Sequence, residues 1–217
     1  MKLSLVLDFD GTVTTTDICV AIVREFIGPG WDDGLNRWRA GEIDQRQLME
    51  WEFARLPGDR AEEMREYALR EATVRAGLAD LLELCRSYDV PVEVVSNGMS
   101  FYIEAVLDRE GLSDLPFVAP IPTLNGLNGP AAEFGDGVET CERTGLCKCA
   151  RARRLRSDGR KIVFVGDGIS DFCVADEADF VIARSSLKEH CAKQGIAHTE
   201  FRDFNDVRRR VAELIEA

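Results

Sequence analysis

The chain has 217 residues, of which 45% are hydrophobic and 30% are charged. This balance supports one large soluble domain, or a domain with a smaller module. The net charge of −12 disfavours general affinity for nucleic acid or for an anionic membrane, because both need clustered basic surface.

Cysteine content and hydropathy indicate the compartment in which the chain works. Seven cysteines, an odd number in a chain of this length, favour reduced thiols over a disulfide framework. No apolar run approaches the ~20 residues of a membrane span, and the N-terminus carries no signal-peptide pattern. We therefore expect a cytoplasmic protein, as a monomer or homodimer.

The first predicted strand covers residues 3–7 and ends in two carboxylates, Asp8 and Asp10, followed by Gly-Thr. Ionised carboxylates beside a buried sheet need a cation or hydrogen-bond donors nearby. Ligands of open α/β sheets bind at the carboxyl ends of the strands, so this position predicts a chemical site. The alternative is an acidic turn in which Gly11 only bends the chain.

Residues 15–74 predict a helical module placed directly after the first strand. Residues 15–17 can cap a helix that begins at Ile18, and Asp44 can cap another that continues to residue 56. Further helices are predicted over residues 31–39 and 59–71. No strand-like alternation interrupts the module.

The rest of the chain alternates strands with helices. Strands are predicted over residues 90–95, 161–165 and 180–183. Helices are predicted over residues 77–88, 100–110, 148–157, 171–177, 186–194 and 203–215. Residues 116–140, rich in Pro, Gly and Asn, predict irregular strands or a hairpin. The alternation predicts an α/β fold with a Rossmann-like parallel sheet and right-handed crossovers.

Three predicted strands end in polar side chains, at Asp8 and Asp10, at Ser96 and Asn97, and at Asp167 and Asp171. Strand ends of one parallel sheet face the same crevice, so we expect these groups to converge. Four carboxylates repel one another unless a divalent cation joins them, and hard oxygen ligands favour Mg²⁺. The Ser96 hydroxyl and the backbone after Asn97 suit anionic oxygens, and Lys148 can complete a phosphate pocket.

This set of motifs resembles the haloacid dehalogenase-like phosphatases over essentially the whole chain. Residues 8–14 match the first family motif, Ser96 the second, Lys148 the third and residues 166–171 the fourth, in the family's order and spacing. The helical module lies where the phosphoserine-phosphatase-like branch carries its cap. The resemblance therefore implies a catalytic core of residues 1–14 plus 75–217, and a helical cap of residues 15–74.

The resemblance also implies roles for individual residues. Asp8 would be the nucleophile that forms an aspartyl-phosphate, and Asp10 the general acid and base. The implied Mg²⁺ ligands are Asp8, the carbonyl of Asp10, and Asp167, with Asp171 behind them. The implied phosphate contacts are Ser96, Asn97 and Lys148. For Lys148 the alternative is a solvated basic helix, because three arginines follow it within six residues.

Further similarities narrow the substrate to a small phosphorylated metabolite. Cys147-Lys148 after Cys141, and then residues 171–173, resemble the methionine-salvage phosphatase group and its phosphocholine and phosphoethanolamine relatives. We expect the methylthio enol-phosphate of methionine salvage, with phosphocholine, phosphoethanolamine or phosphoserine as alternatives.

Two residues near the first motif are assigned to the substrate. Asp17, nine residues after Asp8, occupies the position of a substrate-contacting acid in the phosphoserine-phosphatase branch. Its alternative is a plain helix N-cap. Thr12 is assigned as the second substrate contact.

Three other interpretations remain to be weighed. A phosphomutase would use the same aspartyl-phosphate but return the phosphoryl group to the bound sugar. A non-catalytic phospholigand sensor should have lost Asp8 or Asp10, and both are present. Zinc at Cys141, Cys147 and Cys149 is disfavoured, because the spacing is not a usual finger pattern and no histidine is adjacent.

Overall fold

The computed structural model describes residues 1–123, 132–142, 144–156 and 159–217. Its strands are β1 (Leu3–Leu7), β2 (Val92–Val95), β3 (Phe117–Val118), β4 (Ile121–Pro122), β5 (Ala132–Glu133), β6 (Thr140–Cys141), β7 (Gly145–Leu146), β8 (Lys161–Gly166), β9 (Phe180–Ala183) and β10 (His198–Glu200). Its helices are α1 (Ile18–Ile27), α2 (Asp33–Arg39), α3 (Gln45–Phe53), α4 (Ala61–Glu71), α5 (Leu78–Ser87), α6 (Ser100–Arg109), α7 (Lys148–Leu155), α8 (Phe172–Ala175), α9 (Ser185–Gln194) and α10 (Phe204–Glu216).

Six strands form one sheet in the order β10-β9-β8-β1-β2-β3, and every neighbouring pair is parallel. The predicted α/β fold with a Rossmann-like parallel core is confirmed. β1 lies inside the sheet, with Leu5 opposite Val92 on one side and Val163 on the other. The carboxyl end of β1 is therefore flanked by the ends of β2 and β8.

Both faces of the sheet are buried, which explains why its strands are apolar along their length. Leu5 and Leu7 pack into the core on one face, and Val6 and Phe164 pack into the core on the other. Because a strand directs alternate side chains to opposite faces, a strand covered on both sides needs an unbroken apolar run. Helix α5 packs against α10 on the first of these faces.

Sequence analysis did not identify two strands as members of the main sheet: β3 falls in the segment predicted as irregular strands or a hairpin, and β10 was not predicted at all. β3 has only two residues, inside the segment expected to be irregular, and it pairs with Val94 and Val95 of β2. β10 carries His198, Thr199 and Glu200 at the edge of the sheet. An edge strand is covered on fewer sides, so it lacks the apolar run that identifies buried strands.

The segment 116–140 contains short ladders in addition to β3. β4 pairs antiparallel with β5, and β6 pairs antiparallel with β7. Residues 124–131 of the predicted hairpin lie outside the described residues, as does residue 157 at the predicted end of the basic helix. The described part of that helix, α7, ends at Leu155.

Helices α1 to α4 follow β1 without an intervening strand, as the sequence predicts. Asp44 caps α3 through a reciprocal pair of hydrogen bonds with Gln47, which satisfies two otherwise unpaired backbone donors. Thr14 and Val74 form an antiparallel bridge where the chain leaves and re-enters the sheet domain. Within the described ranges, every helix is too short or too polar to cross a bilayer.

Candidate active site

A cavity of about 440 Å³ opens above the carboxyl ends of β1, β2 and β8. We call its strand-end side the floor, formed by Asp8, Asp10, Ser96, Asn97 and Asp167. We call its helical side the wall, formed by Asp17, Val20, Trp38, Leu48, Met49, Glu52 and Phe53. The two sides come from segments that are far apart along the chain, so folding is needed to create the cavity.

Asp8 is anchored by a buried lysine. The Nζ atom of Lys148 lies 2.6 Å from an oxygen of Asp8 and 2.6 Å from an oxygen of Asp171. Lys148 is 1% exposed, yet its pKa is raised, because attraction by Asp171 and Asp8 outweighs the lowering effect of burial. Burial raises the pKa of Asp8 and Asp171 adds to this, while Lys148 opposes both. Lys148 is thus a fixed positive charge beside Asp8.

Asp10 is held by three donors. One carboxylate oxygen accepts from the backbone N–H groups of Ile18 (2.9 Å) and Cys19 (3.4 Å), and the other accepts from the Tyr102 hydroxyl at 2.5 Å. Burial, followed by repulsion from Asp17, raises the pKa of Asp10 to about 7. A carboxyl with this pKa can both give and take a proton near neutral pH.

A loop after β8 supplies the remaining carboxylates. One oxygen of Asp167 accepts from the Thr12 hydroxyl at 3.0 Å. Burial, followed by repulsion from Asp171, raises the pKa of Asp167 to about 6. Both oxygens of Asp171 are occupied, one by Lys148 and the other by the backbone N–H groups of Asp167 (3.0 Å) and Gly168 (3.1 Å).

The carboxylates fit a hard divalent cation. Asp8, Asp167 and Asp171 each offer an oxygen, and these oxygens lie within 4.8 Å of one another. The raised pKa values of Asp8 and Asp167 show that their charges are under-compensated in the protein alone. An Mg²⁺ ion suits such an oxygen cluster, because its charge offsets the repulsion and the loss of hydration.

Two glycines allow the strand ends to approach each other. Gly11 has a φ of +75°, and a Cβ there would overlap the Asp167 carboxylate. A Cβ at Gly98 would overlap both the Tyr102 hydroxyl and the Asp10 carboxylate. The glycines that follow the acidic and Ser-Asn strand ends are therefore required by close contacts on the floor.

Ser96 and Asn97 complete the floor. The Ser96 hydroxyl oxygen accepts from the Gly98 N–H at 3.0 Å, which leaves its own proton free to donate. The Asn97 side-chain carbonyl accepts from the Leu146 N–H at 3.2 Å. The Asn97 Nδ2 atom is buried and has no hydrogen-bond partner among the described residues. Both side chains therefore offer donors suited to an anion.

The wall combines apolar side chains with two acids. Asp17 caps α1 by accepting from the Val20 N–H at 2.8 Å and also lines the cavity, while its contact with substrate stays a prediction. Glu52, on α3, lies near Asp17 and is half-buried. Burial, followed by repulsion from Asp17, raises the pKa of Glu52 to about 8. No local pattern in the sequence singled out Glu52.

Three predicted site residues lie behind the cavity surface. Lys148 contacts Asp8, and Asp171 accepts from the backbone N–H of Asp167, so both act on the cavity through residues that line it. Thr12 is fully buried, does not line the cavity, and donates to Asp167. Its assignment as a substrate contact therefore needs correction: its hydroxyl positions Asp167 instead.

Arg75 is a site component that sequence analysis missed. It is 8% exposed, and its guanidinium donates to the carbonyls of Thr12 (3.0 Å), Gly11 (2.8 Å), Thr14 (3.2 Å) and Arg202 (3.0 Å). A fork-shaped donor satisfies several carbonyls at once. Arg75 thus ties the turn after β1 to the point where the chain re-enters the sheet domain.

The cysteine cluster makes local contacts. No disulfide joins any of the seven cysteines, all of which lie among the described residues. Cys147 accepts from the Ala150 N–H at the start of α7, and Cys141 contacts the Thr144 hydroxyl. Both contacts are of the kind expected from reduced structural thiols.

Comparison with known proteins gives a consistent assignment. The model of the haloacid dehalogenase-like hydrolase family matches residues 5–176. A 2-hydroxy-3-keto-5-methylthiopentenyl-1-phosphate phosphatase of Brevibacillus brevis is 31% identical, over 95% of this chain and 93% of its own length. A phosphatase of the same name from Exiguobacterium sibiricum is 32% identical, over 95% of each chain.

Solved structures agree at the level of the fold. A phospho-aspartyl intermediate analogue of phosphoserine phosphatase superposes with a TM-score of 0.67 at 20% identity, covering 97% of this chain and 99% of the other. A substrate-bound phosphoserine phosphatase complex gives a TM-score of 0.68 at 19% identity, with the same two coverages.

Proposed function

The chain belongs to the haloacid dehalogenase-like hydrolases and is a phosphoric monoester hydrolase, and from this premise we propose that it hydrolyses a small metabolite phosphate through an aspartyl-phosphate on Asp8. The observation that carries the proposal is the pairing of Asp8 and Asp10 on one floor. Asp8 is held beside the fixed charge of Lys148, and Asp10 has a pKa of about 7.

The proposed reaction has two balanced steps. An oxygen of Asp8 attacks phosphorus, the bond to the ester oxygen breaks, and that oxygen leaves with a proton from Asp10. Water then attacks the phosphorus of the aspartyl-phosphate, gives its proton to Asp10, and releases phosphate and free Asp8. Tyr102 holds Asp10 in position for both transfers.

Charge balance comes from residues around Asp8. Lys148, Ser96 and the Asn97 amide supply a positive charge and donors for the phosphate oxygens. We assign Asp8, Asp167 and the carbonyl oxygen of Asp10 as ligands of Mg²⁺, which when bound neutralises phosphate charge. Asp171 supports them by holding Lys148 and the backbone of the loop after β8.

The proposed substrate is the methylthio enol-phosphate named for the bacterial relatives. The apolar part of the wall, including Trp38, Met49 and Phe53, suits a short thioether tail. Arg184 is the only basic side chain that lines the cavity among the described residues, while Asp17 and Glu52 occupy the wall. Phosphoserine would bring its carboxylate close to the Asp17 carboxylate, so we expect it to be a poor substrate.

A second candidate substrate has one supporting observation. Two carboxyls and the Trp38 ring line the same wall, and acids with an aromatic face also suit an ammonium or choline group. Phosphoethanolamine and phosphocholine therefore remain substrates to be tested.

We further propose that residues 15–74 form a cap that closes over the floor. Three features support this: the cavity lies between the floor and helices α1 to α3, Thr14 and Val74 pair at the base of the segment, and Arg75, directly after the segment, donates to the Thr14 carbonyl just before it. Closure would exclude water from the reacting phosphate.

The direct test is release of inorganic phosphate with Mg²⁺ present. The panel contains the methylthio enol-phosphate, phosphocholine, phosphoethanolamine and phosphoserine. We expect the highest kcat/KM for the enol-phosphate and the lowest for phosphoserine. An isomerised phosphate without phosphate release would indicate a mutase, and binding without turnover would indicate a sensor.

A further inference from the structure

Glu52 is a cavity-lining acid that the proposed mechanism does not use. It lies on α3 between the apolar wall residues Met49 and Phe53. Within the described residues, no donor or cation bonds to its carboxyl group, and the neighbouring carboxylate of Asp17 repels its charged form. A carboxyl placed in an apolar surface without a partner is an unfavourable arrangement unless a ligand completes it.

The surroundings of Glu52 favour its neutral form. Asp17 faces it from the start of α1, and Cys19, whose thiol pKa is raised, faces it from the same helix. Arg184 also lines the cavity, and within the described residues no ion pair joins it to Glu52. Burial and the repulsion from Asp17 raise the pKa of Glu52 to about 8.

Asp17 is the better anion of the two acids. Its carboxylate accepts a backbone N–H bond at the start of α1, where the helix dipole also favours negative charge. Burial raises the pKa of Asp17 as well, but its backbone hydrogen bonds oppose that rise, whereas no hydrogen bond opposes the rise at Glu52 among the described residues. The wall therefore presents a hydrogen-bond acceptor at Asp17 and a hydrogen-bond donor at Glu52.

Resting on the proposed function, we propose that Glu52 is a specificity-determining residue whose neutral carboxylic acid donates a hydrogen bond to a carbonyl oxygen of the leaving group. Asp17 accepts from the hydroxyl next to that carbonyl. A leaving group with adjacent hydroxyl and keto groups satisfies both acids, and an apolar tail then contacts Met49 and Phe53. The ammonium groups of phosphoethanolamine and phosphocholine offer no acceptor to Glu52, so these leaving groups satisfy Asp17 at most.

The test follows the loss of the Glu52 carboxyl proton as the pH rises. The measured quantity is kcat/KM for the methylthio enol-phosphate divided by kcat/KM for phenyl phosphate, whose leaving group carries only the ester oxygen. The division cancels titration of the floor, which both substrates need. Between about pH 7 and about pH 9 the neutral fraction of a carboxyl with a pKa of about 8 falls from about nine-tenths to about one-tenth, so the wild-type ratio should fall about tenfold.

Two variants isolate Glu52. Glu52→Gln keeps a neutral donor at every pH, so its ratio should change less than about twofold over the same range. The control is Glu50→Gln, on the exposed side of α3 in an ion pair with Arg46, and its ratio should fall like that of the wild type. Any titration of the enol-phosphate itself appears equally in all three proteins. Circular dichroism melting checks that both variants fold.

The outcomes separate this inference from the proposed function. A pH-independent ratio in the wild type, or the same tenfold fall in Glu52→Gln, overturns the role of Glu52 and leaves the phosphatase assignment intact. If the wild type hydrolyses neither phosphate, the proposed function fails. The role of Glu52 is then read from the rise in Tm that each phosphate produces with Mg²⁺ at the two pH values. In the wild type, the extra rise given by the enol-phosphate over phenyl phosphate should shrink at the higher pH. In Glu52→Gln it should stay the same.

Discussion

The floor and the wall of the cavity are built on different physical principles. On the floor, Asp8, Asp10 and Asp167 are each held by donors from distant parts of the chain. On the wall, Asp17 bonds only to its own helix, and Glu52 has no protein donor among the described residues. A fixed network suits one reaction, whereas a sparse apolar surface with two acids suits recognition of a variable leaving group. We therefore expect floor variants to affect every substrate and wall variants to change selectivity.

The largest effect should come from Asp8→Asn. The substitution keeps the shape of the side chain but removes the nucleophile, so turnover of every phosphate should fall at least ~10³-fold. The measurement is steady-state phosphate release with Mg²⁺. The exposed Asp114→Asn serves as the matched control and should retain full activity. Near-wild-type turnover in Asp8→Asn would contradict the assignment of Asp8 as the nucleophile.

Asp10→Asn should produce a loss that depends on the leaving group. An alkyl oxygen needs a proton as it leaves, so single-turnover rates for alkyl phosphates should fall by ~10²-fold or more, and those for aryl phosphates by less. The control compares both substrates in the wild type. Equal losses on the two classes would contradict the role of Asp10 as a general acid.

Arg75→Met should weaken the floor without touching the cavity. Removing the guanidinium leaves the carbonyls of Gly11, Thr12 and Thr14 without their donor, which should lower the free energy of unfolding by about 1–3 kcal/mol. We expect kcat to fall alike on all substrates, because the turn after β1 loses its anchor. Arg24→Met, at an exposed position on α1, is the control for urea unfolding and kinetics. A change in substrate preference would contradict this role and would indicate that Arg75 contributes to substrate recognition.

The buried acids predict a pH-dependent stability in the absence of metal. The pKa values of Asp167, Asp10 and Glu52 are raised to about 6, 7 and 8, so the native state binds more protons than the unfolded chain between about pH 4.5 and pH 8. Stability must then fall as the pH rises through this window. One extra proton over one pH unit corresponds to about 1.4 kcal/mol, so Tm should be at least ~3 °C lower at about pH 8 than at about pH 5.5.

Mg²⁺ should reverse part of that loss. It competes with protons for Asp8 and Asp167, so it should raise Tm more at the higher pH than at the lower. Calorimetry with Mg²⁺ and with a chelator at both values makes the measurement. A Tm that rises with pH in chelator, or an equal effect of Mg²⁺ at both values, would count against the metal site.

The smallest effect should be a change in dynamics of the proposed cap. Binding of a phosphate analogue with Mg²⁺ should slow hydrogen exchange in residues 15–74, because closure protects the backbone of α1 and α3. Helices α5 and α10, packed together away from the cavity, provide the internal control. Unchanged exchange in residues 15–74 would contradict closure.

The sequence predicts those strands and helices of the floor and wall that are marked by a pattern within a few neighbouring residues. Strands β1, β2, β8 and β9 are apolar runs, and the acids on the floor follow directly from where two of these runs end. The helices of the wall are marked by caps such as Asp44. The short β3 was predicted only as part of an irregular segment, and the polar edge strand β10, which gives no such pattern, was missed.

Residues whose roles depend on distant partners were also missed. Tyr102 bonds to Asp10 across 92 residues of sequence, and Arg75 bonds to Thr12 across 63. Glu52 reaches the cavity because α3 turns one face towards the floor. No spacing rule connects such pairs, since their proximity is a product of the tertiary fold.

The central claim, that the floor transfers the phosphoryl group to Asp8, is tested most directly by trapping. Asp10→Asn is mixed with an aryl phosphate and Mg²⁺, quenched in acid within one turnover, and mapped by peptide mass spectrometry. We expect the mass of one phosphoryl group on the peptide that contains Asp8, at higher occupancy than in the wild type, because loss of Asp10 slows hydrolysis of the intermediate. Its absence from this peptide while phosphate is still released, or its appearance on another residue, would contradict the account.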